Sequence, residues 1–498
     1  MRFMGWFRGI LAGFSLVLTS CSGNVNDSNV FQAHTVLVSL TDGNVQGNDQ
    51  SYLGAELDTE NAHNAVSSDG RYVAFVSKAT NIIPSMTTSP ERPHVYVRDM
   101  ETRRTIMVDI SFSGEEADND SQSTNTNLIT SSTPSISADG RYVAFSSNAV
   151  NLVSGGTTAG RTHVYRRDLY LGYTELVSIA HTIGGEGGSS GYEISNDPSV
   201  SSDGRYIAFE SNMLNLVSGF NDQNDGSGPV VVRPDIFMRD MTLVPGEHTI
   251  LVSGVGTNSA SNATSGGTGA SVNPSISANG TRIVFETGSD EFSPADSNLT
   301  TDIYYKDTNL PGDVVLVSRE TGDDTNNSTG GVLGSTNGVI SGDGNIIVFR
   351  SQATNLDPLD TSSDHDLYLR DISSAQSELH ETRVITPQSY GNSLSDDPDL
   401  PSLDHTGSLV VFQSGSETLV TGDSNADLDI FLYNVSADST VRVSVSTFGD
   451  EILGGSNRLP NISSDGRYIV WQSNSSQVVD NDLNSRWDVF RRGPLQSN

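Results

Sequence analysis

From residue 134 to 147 the chain reads PSISADGRYVAFSS: apolar and polar positions alternate, break at Asp-Gly, and then alternate again. A two-residue period marks a strand with one face buried. Asp-Gly between two such runs predicts a tight hairpin, because Gly accepts positive φ and Asp bonds the turn backbone. Nearly the same phrase returns as PSVSSDGRYIAFES at 198–211 and PNISSDGRYIVWQS at 460–473. Ungapped matching gives seven copies, ending at Phe75, Phe145, Phe209, Phe285, Phe349, Phe412 and Trp471. Each copy carries Gly at one position: Gly70, Gly140, Gly204, Gly280, Gly344, Gly407 and Gly466. Self-similarity with spacings of 59 to 76 residues points to a repeat architecture before any chemistry is considered.

Two further blocks follow each copy. HVYVRD, HVYRRD, DIFMRD, DIYYKD, DLYLRD, DIFLYN and DVFRRG alternate as a third strand should, and TIMVDIS, TELVSIA, TILVSG, VVLVSR, TRVITP and VRVSVS supply a fourth. Four antiparallel strands per unit cannot bury both faces alone, whereas sheets stacked radially bury one another. The seventh unit runs out after DVFRR, and its missing fourth strand has a match in HTVLVSLTDGN at 34–44. The expected fold is therefore all-β: a seven-bladed β-propeller of four-stranded antiparallel blades over residues 34–498. Residues 35–40 should pair with 487–492, so that an N-terminal strand completes the last blade and no open sheet edge remains. A stacked solenoid would instead need specialised caps, which this sequence does not offer.

The phrase P-x-[IV]-S-x-D-G-R-x-[IV]-A-F, followed by D-[IV]-[FY]-x-R-D, resembles the WD-repeat-like propeller repeat of TolB-related periplasmic proteins over residues 34–495. The resemblance implies the fold and says little about activity. TolB itself carries a further domain ahead of its propeller that has no counterpart here, so its part in the envelope tether complex does not carry over. Members of the wider family are mostly binding scaffolds, and some propellers accompany or contain enzymes.

Composition changes this picture in two ways. With 27 Lys+Arg against 61 Asp+Glu, the formal charge is −34. That balance repels phosphate backbones and anionic bilayers, which argues against nucleic acid as a partner and favours cations. At the N-terminus MRFMGWFRG supplies two arginines, ILAGFSLVL an apolar run, and LTSC the only cysteine, Cys21. A basic start, a short apolar stretch and small residues describe an export signal over 1–20 rather than a membrane span. A lone cysteine at this place resembles the lipobox of bacterial lipoproteins, which implies lipidation of Cys21 after cleavage. Residues 21–33 then form a tether. Ser22 follows the cysteine, which by that resemblance directs the protein to the outer membrane.

Candidate chemistry lies just before the third strand. Four units carry D-x-[NS]-x-x-x-D: Asp296, Asn298 and Asp302; Asp360, Ser362 and Asp366; Asp423, Asn425 and Asp429; Asp482, Asn484 and Asp488. Asp364 and Asp427 enrich two of them. Alternating oxygen donors resemble half of a calcium loop, although the Gly and the closing Glu of the EF-hand pattern are missing. The same residues also suit side-chain turns leading into a strand. Units 1 and 2 put His94 and His163 where the final Asp stands. The G-x-S-x-G match around Ser189 sits in a Gly/Ser-rich linker without a strand–elbow–helix context. The recurring Arg-Asp ending the third strand (Arg98-Asp99, Arg167-Asp168, Arg239-Asp240, Arg370-Asp371) is expected to be structural, because a site for one ligand need not recur around a ring.

No catalytic residue is expected. The reading is a monomeric, lipid-anchored extracytoplasmic scaffold that engages an envelope protein or glycan through its unrepeated loops. The alternatives are a polysaccharide lyase or hydrolase working at the channel mouth, and a calcium-stabilised structural protein. No cofactor is required, and calcium is the one candidate.

Overall fold

The computed structural model describes residues 33–495 except 55–63, 87, 89–91, 119–130, 182–192, 221–232, 243–247, 255–268, 290, 291, 294, 295, 297, 299, 311–313, 322–333, 361–363, 375–379 and 387–396. Cys21, Ser189 and Ser362 lie outside the described residues. So do most of the long linkers.

Among the described residues, twenty-eight strands form seven four-stranded antiparallel sheets. In the second blade, for example, Ser131–Ile136, Tyr142–Ser147, His163–Asp168 and Tyr173–Leu176 run from the channel outwards. Six blades take four consecutive strands. The seventh joins Asn457–Ile462, Ile469–Ser473 and Asp488–Gly493 to the N-terminal strand His34–Leu37. There His34 faces Gly493 and Leu37 faces Phe490, so the expected closure holds.

Each strand's meaning becomes clear between blades. The aromatic within the second strand stacks on the one facing it in the third: Phe75 on Tyr96 at 5.6 Å, Phe145 on Tyr165 at 5.8 Å, Trp471 on Phe490 at 6.1 Å. These rings sit in clusters shared by neighbouring blades, so that Phe145 packs with Ala74 and Val97 of the blade before. Fully burying one such side chain contributes about 1.5–3 kcal/mol. The first serine of PSIS is an inter-blade acceptor: Val200 N–H donates to Ser135 Oγ, and Ile276 N–H to Ser199 Oγ.

At the Asp-Gly turns seven backbone hydrogen bonds of 2.8–3.0 Å close the ring, from Ser68 N–H on Ala138 O round to Asp465 N–H on Ser68 O. Inside the turn, Asp139 accepts Ser137 Oγ at 2.6 Å and Arg141 N–H at 3.0 Å. Gly140 (φ 73°) receives the Tyr72 ring of the preceding blade.

The Arg-Asp endings are structural, but the two residues do not pair with each other in the blades where their partners are seen. Asp99 takes Arg71 of the Asp-Gly-Arg turn at 2.8 Å, as Asp168 takes Arg141 at 2.7 Å and Asp240 takes Arg205 at 2.6 Å. Arg98 instead donates to the backbone carbonyls of Leu40 and Thr41 in the preceding blade, and Arg370 to that of Arg319.

Candidate functional site

Each acid that begins a third strand is tied to the fourth strand. Ser318 Oγ donates to Asp302, Thr386 Oγ1 to Asp366, Ser444 Oγ to Asp429 and Ser39 Oγ to Asp488, and the same hydroxyls accept the next backbone N–H of the third strand. In unit 2, His163 Nδ1 meets Ser178 Oγ at 2.9 Å. In unit 1 the pair is exchanged whole: His94 Nδ1 meets Asp109 at 2.9 Å and its Nε2 meets Glu116 at 3.0 Å. Burial opposes a charge on His94, but the two carboxylates prevail and raise its pKa. The final Asp of the sequence pattern is therefore a strand tether in every blade that carries it.

The other members of the pattern divide by blade. Asp296 accepts the Tyr304 hydroxyl at 2.7 Å, and Asp360 accepts that of Tyr368. Asn298 and Asn425 close turns on Thr300 N–H and Asp427 N–H, while Asp364 and Asp427 lie half-buried at the turn surface. Asp423 faces Arg442 at 3.0 Å. Asp482 accepts Gln46 Nε2 at 2.8 Å, and Asn484 Nδ2 donates to Gly47 O at 3.1 Å. Burial pushes the Asp429 carboxyl up to about 6 and that of Asp488 up to about 7. Among the described residues no three His, Cys, Asp or Glu side chains gather as a metal-ligand group.

The channel has two different ends. At the Asp-Gly turns it is lined by Val66, Ile136, Val200, Ile276, Leu403 and Ile462, with His405 at its rim, around a cavity of about 50 Å³. Only a water or two fits there. Nearer the start of the inner strands lies a polar belt that sequence reasoning missed. A β-bulge in these strands puts Asp197, Asn273 and Asn337 at φ of 52°, 54° and 55°. Bulges re-aim side chains in this way.

Asn273 Nδ2 donates to Glu286 Oε1 at 2.8 Å, and Asn337 N–H of the next blade donates to the same oxygen at 2.6 Å. Asn337 Nδ2 then reaches Asp399 of the blade after that, at 2.6 Å. Arg350 lies 3.7 Å from both Asp397 and Asp399, and Asp397 holds His365 Nδ1 at 2.8 Å. Glu286 is 4% exposed. Burial pushes its carboxyl up to about 7, Asp399 and Asp197 add to this, and the two amide donors oppose it. Such a group can give or take a proton near neutrality. A signal was available in FES, FET and FRS, where a charge follows the buried aromatic of blades 3, 4 and 5.

A pH dependence follows. Glu286 holds its proton more tightly folded than unfolded, so its contribution is intact below about pH 4.5 and is lost as pH rises to about 7. Asp240 runs the other way: although burial opposes it, Arg205 and the Thr242 N–H hold its carboxyl at about 2, so that its contribution is lost only in strong acid. Chemical denaturation should show stability falling between pH 5 and pH 8. In Glu286→Gln that fall should shrink by about 1–3 kcal/mol. An unchanged slope would mean that Glu286 is ionised throughout.

No protein-family model and no curated protein matches the chain. Solved propellers do. An oligogalacturonate lyase from Vibrio parahaemolyticus is 10% identical with a TM-score of 0.47, over 93% of this chain and 96% of the lyase. TolB from Acinetobacter baumannii is 14% identical with a TM-score of 0.34, over 71% of this chain and 59% of TolB. The propeller domain of a trilobed protease from Pyrococcus furiosus is 10% identical with a TM-score of 0.42, over 81% and 88%. Likeness at this level concerns the fold alone.

Proposed function

We propose that the chain is an extracytoplasmic scaffold of the bacterial envelope, anchored through a lipidated Cys21, which recognises a protein or glycan through its unrepeated loops. One observation carries this reading: the repeated motifs are spent on the ring itself. The Asp-Gly turn, the Arg-Asp ending and the Asp–Ser tether all have partners inside or between blades, and the channel closes to about 50 Å³ at one end. What differs between units is left to the loops, where a rigid scaffold places recognition. Crosslinking in native envelopes should capture a defined partner, and Cys21→Ala should release the protein from the membrane fraction. Turnover of an envelope or plant-type glycan with no partner captured would overturn the reading.

A second reading is favoured by Glu286. A buried carboxyl with a pKa of about 7, backed by Asp197, Asp399 and Arg350 in one belt, suits proton transfer in a lyase or hydrolase.

A further inference from the structure

A cleft runs beside the outer strand of blade 6 and again beside that of blade 7, and the two differ in charge. In blade 6 it measures about 500 Å³, with Thr440, Val441, Arg442 and Val445 on its wall. Arg442 Nη1 lies 3.0 Å from Asp423 and 2.9 Å from Glu451, so this cleft carries its own counter-charge. In blade 7 it measures about 540 Å³, with Thr35, Val36, Leu37 and Leu40 on its wall. The tethers Ser444–Asp429 and Ser39–Asp488 fix the equivalence, which sets Leu37 in the place of Arg442. The cations of the second cleft come instead from Arg491 and from Arg98 and Arg103 of blade 1.

These three arginines differ from Arg442 in having no carboxylate partner among the described residues. Arg98 Nη1 donates to the Leu40 and Thr41 carbonyls and to Thr105 Oγ1, and its Nη2 to Asn44 Oδ1. Arg491 Nη1 donates to Gly70 O, and its Nε is buried without an acceptor. Arg103 is exposed in the blade 1 hairpin, where blade 6 has Asp438. The acids nearby are engaged: Asp99 by Arg71, Asp42 by Thr105 N–H and Asp69 by Ser67 Oγ and Arg71 N–H. Among the described lining residues Asp480 is the one carboxylate. Burial lowers the pKa of Arg491 and of Arg98; at Arg98 the charge of Arg103 adds to this and Asp42 opposes it. Buried charges met only by neutral groups are disfavoured and gain from an incoming counter-charge. In a chain of formal charge −34, this cleft has the opposite sign to its surroundings.

We propose that the cleft beside the N-terminal strand binds a phosphate-bearing ligand, which Arg103 contacts and which Arg98 and Arg491 hold by their charge. A phosphate brings up to two negative charges and several acceptor oxygens, which suits convergent guanidiniums better than a single carboxylate. The cleft has the volume of a small-molecule site, and Val36, 37% exposed, offers an apolar wall to the rest of the ligand. Its place matters, because the arginines stand on both sides of the seam where the ring closes. A ligand held there ties blade 1 to blade 7 and stabilises the closed ring.

The test is calorimetric titration of the full-length protein with inorganic pyrophosphate at neutral pH and low ionic strength, where exposed charges are least screened. Wild type should show one saturable site per chain. Arg103→Ala and Arg491→Leu should each weaken it about tenfold or more. Blade 6 carries Leu432 at the place of Arg491, so the second variant is compatible with the blade. Arg104→Ala, at an exposed arginine outside the cleft, should bind as wild type does. Two further titrants identify the source of the phosphate. Tighter binding of dihexanoyl phosphatidylglycerol, below its micelle concentration, than of glycerol 3-phosphate supports a lipid headgroup, and equal binding supports a soluble phosphate ester. No saturable binding by wild type overturns the proposal. Binding that is equal in wild type, Arg103→Ala and Arg491→Leu also overturns it, by placing the anion elsewhere. Either failure leaves the scaffold reading untouched.

Discussion

Deleting residues 34–40 is expected to abolish cooperative folding of the whole ring, although the segment is seven residues at one end of the propeller. It takes Leu37, Val38 and Leu40 out of buried positions, removes the ladder from His34–Gly493 to Leu37–Phe490, and strips Asp488 of Ser39 and Arg492 of Thr35. Three buried aliphatic side chains alone contribute roughly 5–9 kcal/mol, against a typical net stability of about 5–15 kcal/mol. The deletion also bares the edge of Asp488–Gly493, a template for aggregation. Circular dichroism should show no sharp thermal transition, and limited proteolysis should cut within blade 7 first. A deletion variant that still melts cooperatively near the wild-type temperature would show that the ring holds without its N-terminal strand.

The second large effect is expected at the Asp-Gly turn. Gly140 has φ 73°, and a Cβ there would lie 2.1 Å from Tyr72 Cδ2 of the preceding blade. The left-handed backbone costs a residue with a Cβ about 1–2 kcal/mol, and forcing Tyr72 aside costs about 1–3 kcal/mol more. Gly140→Ala should therefore destabilise the protein by ~2–5 kcal/mol in urea melts. Gly114 provides the control, because it has φ 87° but nothing within 4 Å of the added carbon. Gly114→Ala should show the backbone cost alone, about 1–2 kcal/mol. Equal costs at the two sites would mean that the inter-blade contact with Tyr72 contributes nothing.

These two effects mark what the sequence could and could not reveal. Blade number, strand order and the closing strand were legible because each rests on a local pattern: a two-residue alternation, an Asp-Gly turn, or a fourth-strand phrase displaced to residues 34–44. The partners of the recurring residues were not legible, because they come from the neighbouring blade. Arg98 reads as half of an Arg-Asp pair, yet it bonds Leu40 and Thr41 carbonyls some sixty residues away, while Asp99 is taken by Arg71. The D-x-N-x-x-x-D acids read as one repeated loop, yet their last member is a tether to a fourth-strand hydroxyl, and their first member meets a tyrosine, an arginine or a glutamine depending on the blade. The Glu286 belt escaped notice for the same reason. Asn273, Asn337 and Asp399 stand on three successive inner strands and meet only once the sheets are stacked.

The central claim is that the repeated residues build the ring and the unrepeated loops do the recognising. Its most direct measurement is photo-crosslinking in native envelopes with wild type and Glu286→Gln side by side, scored for captured partner and for glycan turnover. The account predicts the same partner captured in equal yield by both proteins, with no turnover from either. Glycan turnover by wild type that disappears in Glu286→Gln, with no partner captured by either, would contradict it.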